Sequence, residues 1–324
     1  MIIFSNKLNE YWDKRIDELK EEFPDVKFIP AREDEGRDKY LPLASGMVAS
    51  KLTTEDLDKA SSLKILFIPF TGVNFFPTEE LKNRNIMVSN SHGNSRVVAE
   101  RAVALALALL GRIVEFHNDL KQGYWHRGEG AGGQWTSIQG SPCGILGVGH
   151  VGRHIAKLLK AFDCRVVGFK KHGVEEPPQY VDEITNDLLE VIDKSEVIFI
   201  CLPETKETEG IIDKNVLSRM RGKYLVNVGR ARIVKEEALY SALKEGVLSG
   251  AGLDVWYKYP KGKEESTYPS IYAFHELPNV VITPHNAGNN KEARELNIDG
   301  TIENIQTYLK TGKPLNLVNL DLMY

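Results

Sequence analysis

The sequence predicts an α/β protein built from two doubly wound parallel sheets. Three observations predict it. Short apolar runs of strand length alternate with segments of helical period along most of the chain. A length of 324 residues, with 42% hydrophobic side chains, suffices for two cores. One turn, Gly147-Val-Gly-His-Val-Gly152, carries glycines in the spacing G-x-G-x-x-G between an expected strand and an expected helix.

The elements follow in order. Residues 1–5 read as a strand, and residues 8–23 carry Tyr11, Trp12, Ile16 and Leu19 at helical spacing. Residues 26–29 are strand-like, and the small-residue stretch 43–49 fits a strand and loop. Residues 53–60 open with hydroxyls ahead of two acids, a helix start. Residues 63–70 and 85–89 are further apolar runs of strand length. Residues 95–116 read as one long helix, apolar on most sides and therefore buried. A glycine-rich segment, 123–133, is expected to be loose. Strands are expected at 165–169, 197–202, 224–228, 250–255 and 280–283, mostly separated by helices. Residues 258–270 form a polar loop, 289–309 a helix that returns to the first domain, and 316–322 an extended tail.

The glycine turn has specific mechanics. Gly144-Ile-Leu reads as the end of a buried strand, and Val151, Ile155, Leu158, Leu159 and Phe162 form a helical stripe after the turn. Gly147 permits the tight turn, Gly149 lets backbone approach a pyrophosphate, and Gly152 lets the helix pack close to the strand. The N–H groups at the helix start, around His150 and Val151, then face the phosphates. This half of the chain is expected to be a Rossmann nucleotide-binding domain.

Composition narrows the partners. A net charge of −4 with no basic stripe argues against nucleic acid or an anionic membrane. The apolar stretch 102–110 is too short to span a bilayer, and the N-terminus lacks the pattern of a signal peptide. Cys143, Cys164 and Cys201 are odd in number and show no metal-ligand spacing, so no metal site is expected. Buried free thiols in a reducing cytosol are the expectation.

By the fifth strand of this half the pattern resembles the D-isomer-specific 2-hydroxyacid dehydrogenases. The resemblance is carried by Asn227-Val-Gly-Arg-Ala-Arg232, Gly252-Leu-Asp-Val255 and Thr283-Pro-His285. Val98-Ala-Glu-Arg-Ala102, Leu202-Pro-Glu-Thr-Lys-Glu-Thr208 and Gly312-Lys-Pro-Leu-Asn-Leu-Val318 extend it over nearly the whole chain. It implies a substrate (catalytic) domain from residues 1–94 plus 290–324, with the nucleotide domain, 95–289, inserted into it. It also implies hydride transfer between a nicotinamide cofactor and a 2-oxo or D-2-hydroxy acid, and a homodimer.

Site residues follow from the matched motifs. Arg230 matches the arginine that clamps the substrate carboxylate and polarises the carbonyl, with Arg232 a nearby decoy. His285 matches the acid/base histidine, which also borders the nicotinamide. Asp254 matches an aspartate near both, and read alone it also fits a cap. Gly72, Val73 and Asn74 fall in the substrate loop, and Asn94 at the interdomain crevice. Leu202, Pro203, Thr208, Val228 and Gly229 are expected to border the cofactor.

Three departures from the family pattern sharpen the expectation. Tyr259 stands where the family usually has the glutamate that pairs with its histidine, so a neutral phenol is expected to orient His285. Glu264, Glu265 or Glu276 folding in remains an alternative. Lys170 and Lys171 stand where NAD enzymes carry a ribose-binding acid, so NADP(H) is preferred over NAD(H), which remains possible. No arginine lies near residues 46–50, where phosphoglycerate enzymes hold their phosphate; Lys51 is the nearest cation. The expectation is a cytosolic reductase of a small non-phosphorylated 2-oxo acid, such as glyoxylate or hydroxypyruvate. The alternatives are another substrate on the same scaffold (3-phosphoglycerate, formate or phosphite) or a nucleotide-sensing binding protein with little turnover.

Overall fold

The computed structural model describes residues 1–31, 37–127, 132–172, 176–262 and 266–323. They divide into two compact units: residues 1–94 with 289–324, and residues 95–288. Both are α/β with wholly parallel sheets, the fold class read from the sequence.

The first unit holds strands β1 (Ile2–Phe4), β2 (Phe28–Ile29), β3 (Gly46–Val48), β4 (Ile65–Ile68) and β5 (Met87–Asn90). Their order is β2-β1-β3-β4-β5. Successive side chains leave opposite faces, so each apolar run feeds two cores. Ile2, Phe4, Val48, Ile65 and Phe67 meet Trp12, Ile16 and Leu19 of helix Glu10–Glu22 and Ile298, Ile302 and Ile305 of helix Lys291–Thr311. Ile3, Met47, Leu66 and Ile68 pack on the other side with Leu57 and Leu81. The helix starts are capped as their sequences suggest. Asn9 accepts the Trp12 N–H, Thr53 and Asp56 form a capping box, and Asn290 accepts the Ala293 N–H. The tail is extended only in part: Leu317 bridges Ser89 antiparallel, and a turn follows.

The second unit holds β6 (Pro142–Leu146), β7 (Arg165–Phe169), β8 (Glu183–Thr185), β9 (Val197–Ile200), β10 (Tyr224–Asn227), β11 (Gly250–Leu253) and β12 (Val280–Ile282). Their order is β12-β11-β10-β9-β6-β7-β8, so the winding reverses between β6 and β9. Crevices at such a reversal, outside the carboxyl ends of the strands, are where doubly wound folds bind ligands.

The expected single helix 95–116 is instead two, Ser95–Leu110 and Ile113–Lys121. Arg112 breaks the run with a left-handed backbone, φ 49°. Its guanidinium is held by Glu115 and by the carbonyls of Gly132 and Gln134. Ser95–Leu110 lies on the glycine face of β11. A Cβ on Gly250 would come within 2.9 Å of Leu109, and one on Gly252 within 3.1 Å of Leu105. No helix among the described residues is long and apolar enough to cross a membrane.

Candidate active site

The glycine turn sits at the reversal. β6 ends at Leu146, and Gly147 turns the chain with φ 104°. A Cβ there would lie 2.9 Å from the Cys201 carbonyl carbon, so only glycine lets the turn pass beside the end of β9. At Gly152 a Cβ would sit 2.3 Å from the Gly147 carbonyl oxygen. Gly149 faces open space at the N-cap of helix His150–Lys160. The result is a bare backbone cradle with helix N–H groups at its floor, which fits a pyrophosphate. Burial, and then the charge of Arg153, holds the His150 imidazole below its ordinary range, so it sits neutral beside this cradle. Val151 is half-buried in the first helical turn.

Lys170 and Lys171 directly follow β7. The Lys171 ammonium pairs with Glu207 at 2.7 Å, and His172 lies 3.9 Å from the same carboxylate oxygen. Among the described residues no ion pair involves Lys170; its backbone N–H donates to Thr185. The loop after β9 is tied internally. Leu202 is buried. The Thr208 hydroxyl, also buried, donates to the Pro203 carbonyl at 2.6 Å and accepts the Thr205 N–H at 2.9 Å.

Arg230 lies three residues beyond β10. The buried Asn227 side chain shapes the intervening turn. Its Oδ1 accepts the Gly229 N–H and its Nδ2 donates to the Arg230 carbonyl, both at 3.0 Å. A Cβ on Gly229 would come within 2.9 Å of the Leu202 oxygen, so this turn packs against the loop after β9. Val228 is buried. The Arg230 guanidinium is half-buried and donates to the Gly229 carbonyl at 2.8 Å. Desolvation lowers its pKa, against the pull of Tyr259 and Glu204. A guanidinium kept partly dry in this way favours an anion.

The neighbouring strands supply the rest. The Tyr259 hydroxyl lies 2.8 Å from His285 Nδ1 and accepts the Trp256 N–H at 3.1 Å. Asp254, one residue past β11, is buried, and both its oxygens hold the loop that carries His285. It accepts the Thr283 hydroxyl at 2.5 Å and the N–H groups of Asn286 at 3.1 Å and Ala287 at 2.9 Å. The Trp256 indole N–H closes the loop on the Thr283 carbonyl at 2.7 Å. His285 takes a left-handed backbone, φ 53°, an uncommon conformation that the anchors on both sides of it maintain. Desolvation first, and the Arg230 charge second, lower its pKa, while Asp254 pulls the other way. Burial raises the Tyr259 pKa, so the phenol stays neutral.

Arg230, Asp254, Tyr259 and His285 are thus gathered at the carboxyl ends of the adjacent strands β10, β11 and β12. Glu276 lies elsewhere, paired with His275 at 3.7 Å, and Glu264 and Glu265 fall outside the described residues. In the first unit, Gly72, Val73 and Asn74 follow β4. The Gly72 and Val73 N–H groups have no hydrogen-bond partner among the described residues, while the Val73 side chain is buried. Asn94 is held through its backbone N–H, which donates to Asn297 Oδ1 at 3.1 Å.

Sequence reasoning passed over Asn227, Trp256, Thr283, Asn286 and Glu207. Asn227, Thr283 and Glu207 lie inside quoted motifs, and that position is their only signal. Asn286 Oδ1 is buried without a partner among the described residues.

The chain is similar to known proteins over most of its length. The family described as D-isomer specific 2-hydroxyacid dehydrogenase, NAD binding domain, matches residues 103–287. A D-3-phosphoglycerate dehydrogenase of Archaeoglobus fulgidus is 33% identical over 84% of this chain, which spans only 50% of that relative. A glyoxylate reductase of Thermococcus litoralis is 32% identical over 86% of this chain and 83% of its own. An NADPH-dependent glyoxylate/hydroxypyruvate reductase from Sinorhizobium meliloti, solved with citrate, superposes with a TM-score of 0.76 at 25% identity. The match covers 99% of this chain and 98% of that one.

Proposed function

Because the chain belongs to the D-isomer-specific 2-hydroxyacid dehydrogenase family, we propose that it reduces a small, non-phosphorylated 2-oxo acid to the D-2-hydroxy acid with NADPH. The observation that carries this reading is the convergence of Arg230, Tyr259 and His285 at the carboxyl ends of β10, β11 and β12, in the sheet that also carries the glycine cradle. Gly147, Gly149 and the start of helix His150–Lys160 would hold the pyrophosphate. The bound nicotinamide supplies the hydride for C2 of the substrate.

The protein's own groups do the rest. Arg230 clamps the carboxylate through its planar fork and draws electron density from the adjacent carbonyl. His285 gives its Nε2 proton to the oxygen as that oxygen becomes an alcohol. Tyr259 orients the ring through Nδ1, and Asp254 acts as a positioning residue by fixing the loop. Within the first unit, the backbone N–H groups of Gly72 and Val73, with Asn74 and Asn94, are the groups we propose for carboxylate binding.

The NADP(H) preference rests on Lys170 and Lys171 and on the absence of an acid after β7. A non-phosphorylated substrate is favoured because residues 46–50 bear no arginine. We also propose a homodimer in the cytosol. A panel of 2-oxo acids with NADPH and NADH, read by loss of reduced-nicotinamide absorbance, tests the function. Turnover of glyoxylate or hydroxypyruvate with NADPH is expected. No turnover with any 2-oxo acid, from protein that binds the cofactor, overturns it in favour of a nucleotide-sensing role.

A further inference from the structure

We propose that Glu207 is the counter-ion of the adenosine 2′-phosphate seat, holding Lys171 and facing His172 until the phosphate of NADP(H) displaces it. The proposal rests on the NADP(H) reading and names a residue that controls it. Glu207 comes from a different loop than the cations it meets, across the reversal of the sheet: Lys171 follows β7, whereas Glu207 follows β9. Yet its carboxylate lies 2.7 Å from the Lys171 ammonium and 3.9 Å from His172 Nε2.

The carboxylate is presented by a shaped loop. Thr205 Oγ1 accepts the N–H groups of Glu207 and Thr208, both at 3.2 Å, and Thr208 ties the loop to Pro203. Lysine contact holds the Glu207 carboxyl below its usual range, so it is ionised at neutral pH.

An anion in this place has two effects on a nucleotide. It competes with a 2′-phosphate for Lys171 and His172, and it repels that phosphate unless it swings away. It does neither to the bare ribose of NAD(H). The side chains of Lys171 and Glu207 are 42% and 53% exposed, so the pair is solvated and displacement is cheap. An exposed pair of this kind corresponds to about a two- to fivefold change in affinity. Glu207 therefore tempers the preference for NADP(H) without abolishing it.

Calorimetric titration of the full chain and of Glu207→Gln with NADPH, NADH and adenosine 2′-phosphate tests this, at low and high ionic strength. Glu207→Gln is expected to bind NADPH and adenosine 2′-phosphate about two- to fivefold more tightly at low salt, with NADH unchanged. The gain shrinks at high salt and is smaller in a Lys171→Gln background, where only His172 and the direct repulsion remain. Unchanged or weaker adenosine 2′-phosphate binding in Glu207→Gln overturns the counter-ion role. Weaker NADH binding overturns it too, since Glu207 would then be serving the ribose hydroxyls. A wild-type preference for NADH overturns the NADP(H) reading alone, because adenosine 2′-phosphate reports on the seat independently.

Discussion

The Tyr259 hydroxyl meets His285 Nδ1 at 2.8 Å while accepting the Trp256 N–H at 3.1 Å. A phenol can donate to the bare nitrogen of neutral imidazole or accept from the N–H of imidazolium. It therefore orients the ring in both states and favours neither by charge. A carboxylate there would stabilise imidazolium and raise the histidine pKa. Without it, desolvation and Arg230 set the value, below the ordinary 6.5. In the proposed mechanism reduction consumes a proton from His285, so its rate would follow the imidazolium fraction. Reductive kcat/KM is expected to rise as pH falls, with a midpoint below 6.5. Oxidation, which needs neutral imidazole, persists to lower pH than in a glutamate-paired relative. Tyr259→Glu is expected to move the reductive midpoint up by about one unit or more. Tyr259→Phe keeps the low midpoint and loses about tenfold in kcat, because the ring is no longer held. A wild-type profile flat well above neutrality, with Tyr259→Phe fully active, would contradict this.

Arg230 is held by its own turn and aimed by Asn227, so its fork geometry is set before substrate arrives. Lysine retains the charge and loses the two parallel donors. Arg230→Lys is expected to lower kcat/KM for the best 2-oxo acid on the order of a hundredfold. Cofactor affinity should stay within about twofold, since the role proposed for the guanidinium is to hold the substrate carboxylate. Steady-state kinetics with fluorescence titration of NADPH separates the two, and an equal loss in both would assign Arg230 to the cofactor instead.

The parallel sheets were legible because buried strands read as continuous apolar runs, and Ile2–Phe4 or Val197–Ile200 need no partner to reveal themselves. The glycine turn was legible because backbone sterics at Gly147 and Gly152 are local. The break at Arg112 was not, since an arginine in a left-handed conformation carries no turn signature and is held by carbonyls at Gly132 and Gln134. β8 escaped for another reason: it is a three-residue edge strand, half-exposed along its length. Arg230 and His285 are singled out by motif resemblance, whereas the Lys171–Glu207 pair links residues far apart in sequence and could only be seen in space.

Gly152 offers a test of the cradle that leaves every functional side chain intact. An added Cβ would lie 2.3 Å from the Gly147 oxygen and 3.0 Å from Ile145, so helix and strand must separate. Gly152→Ala is expected to cost about 1–3 kcal/mol in urea unfolding, as overpacking does. It should also weaken NADPH binding by at least about tenfold, since the turn that meets the pyrophosphate shifts with the helix. Unaltered NADPH affinity in a folded variant would place the pyrophosphate elsewhere.

Helix Ile113–Lys121 buries none of its residues, and Ile113, Val114 and Leu120 are exposed beside Tyr124 and Trp125. An apolar group of this kind on a solvated surface favours a partner, and a second copy of the chain is the expected one. Sedimentation velocity is expected to give a dimer at micromolar concentration. Leu120→Asp is expected to shift it toward monomer, by placing a charge in the contact. A monomeric wild type at all accessible concentrations would refute the assembly.

Asp254 separates positioning from chemistry. Its two oxygens take three donors, the Thr283 hydroxyl and the N–H groups of Asn286 and Ala287, so its capacity is spent on the loop that carries His285. Asparagine has one acceptor oxygen and would turn an amide N–H₂ toward these donors. Leaving a buried N–H unpaired costs about 1–3 kcal/mol. Asp254→Asn is therefore expected to unfold at lower urea and to lose kcat by about tenfold or more, because a loop carrying a left-handed His285 is freed to relax. Asp254 also helps hold the His285 pKa up, so its loss should move the reductive midpoint further down in pH. The sign follows from the charge: removing a nearby anion disfavours imidazolium. A variant with normal stability and kcat but weakened NADPH binding would assign Asp254 to the cofactor, whereas a lowered midpoint with NADPH affinity intact assigns it to the loop.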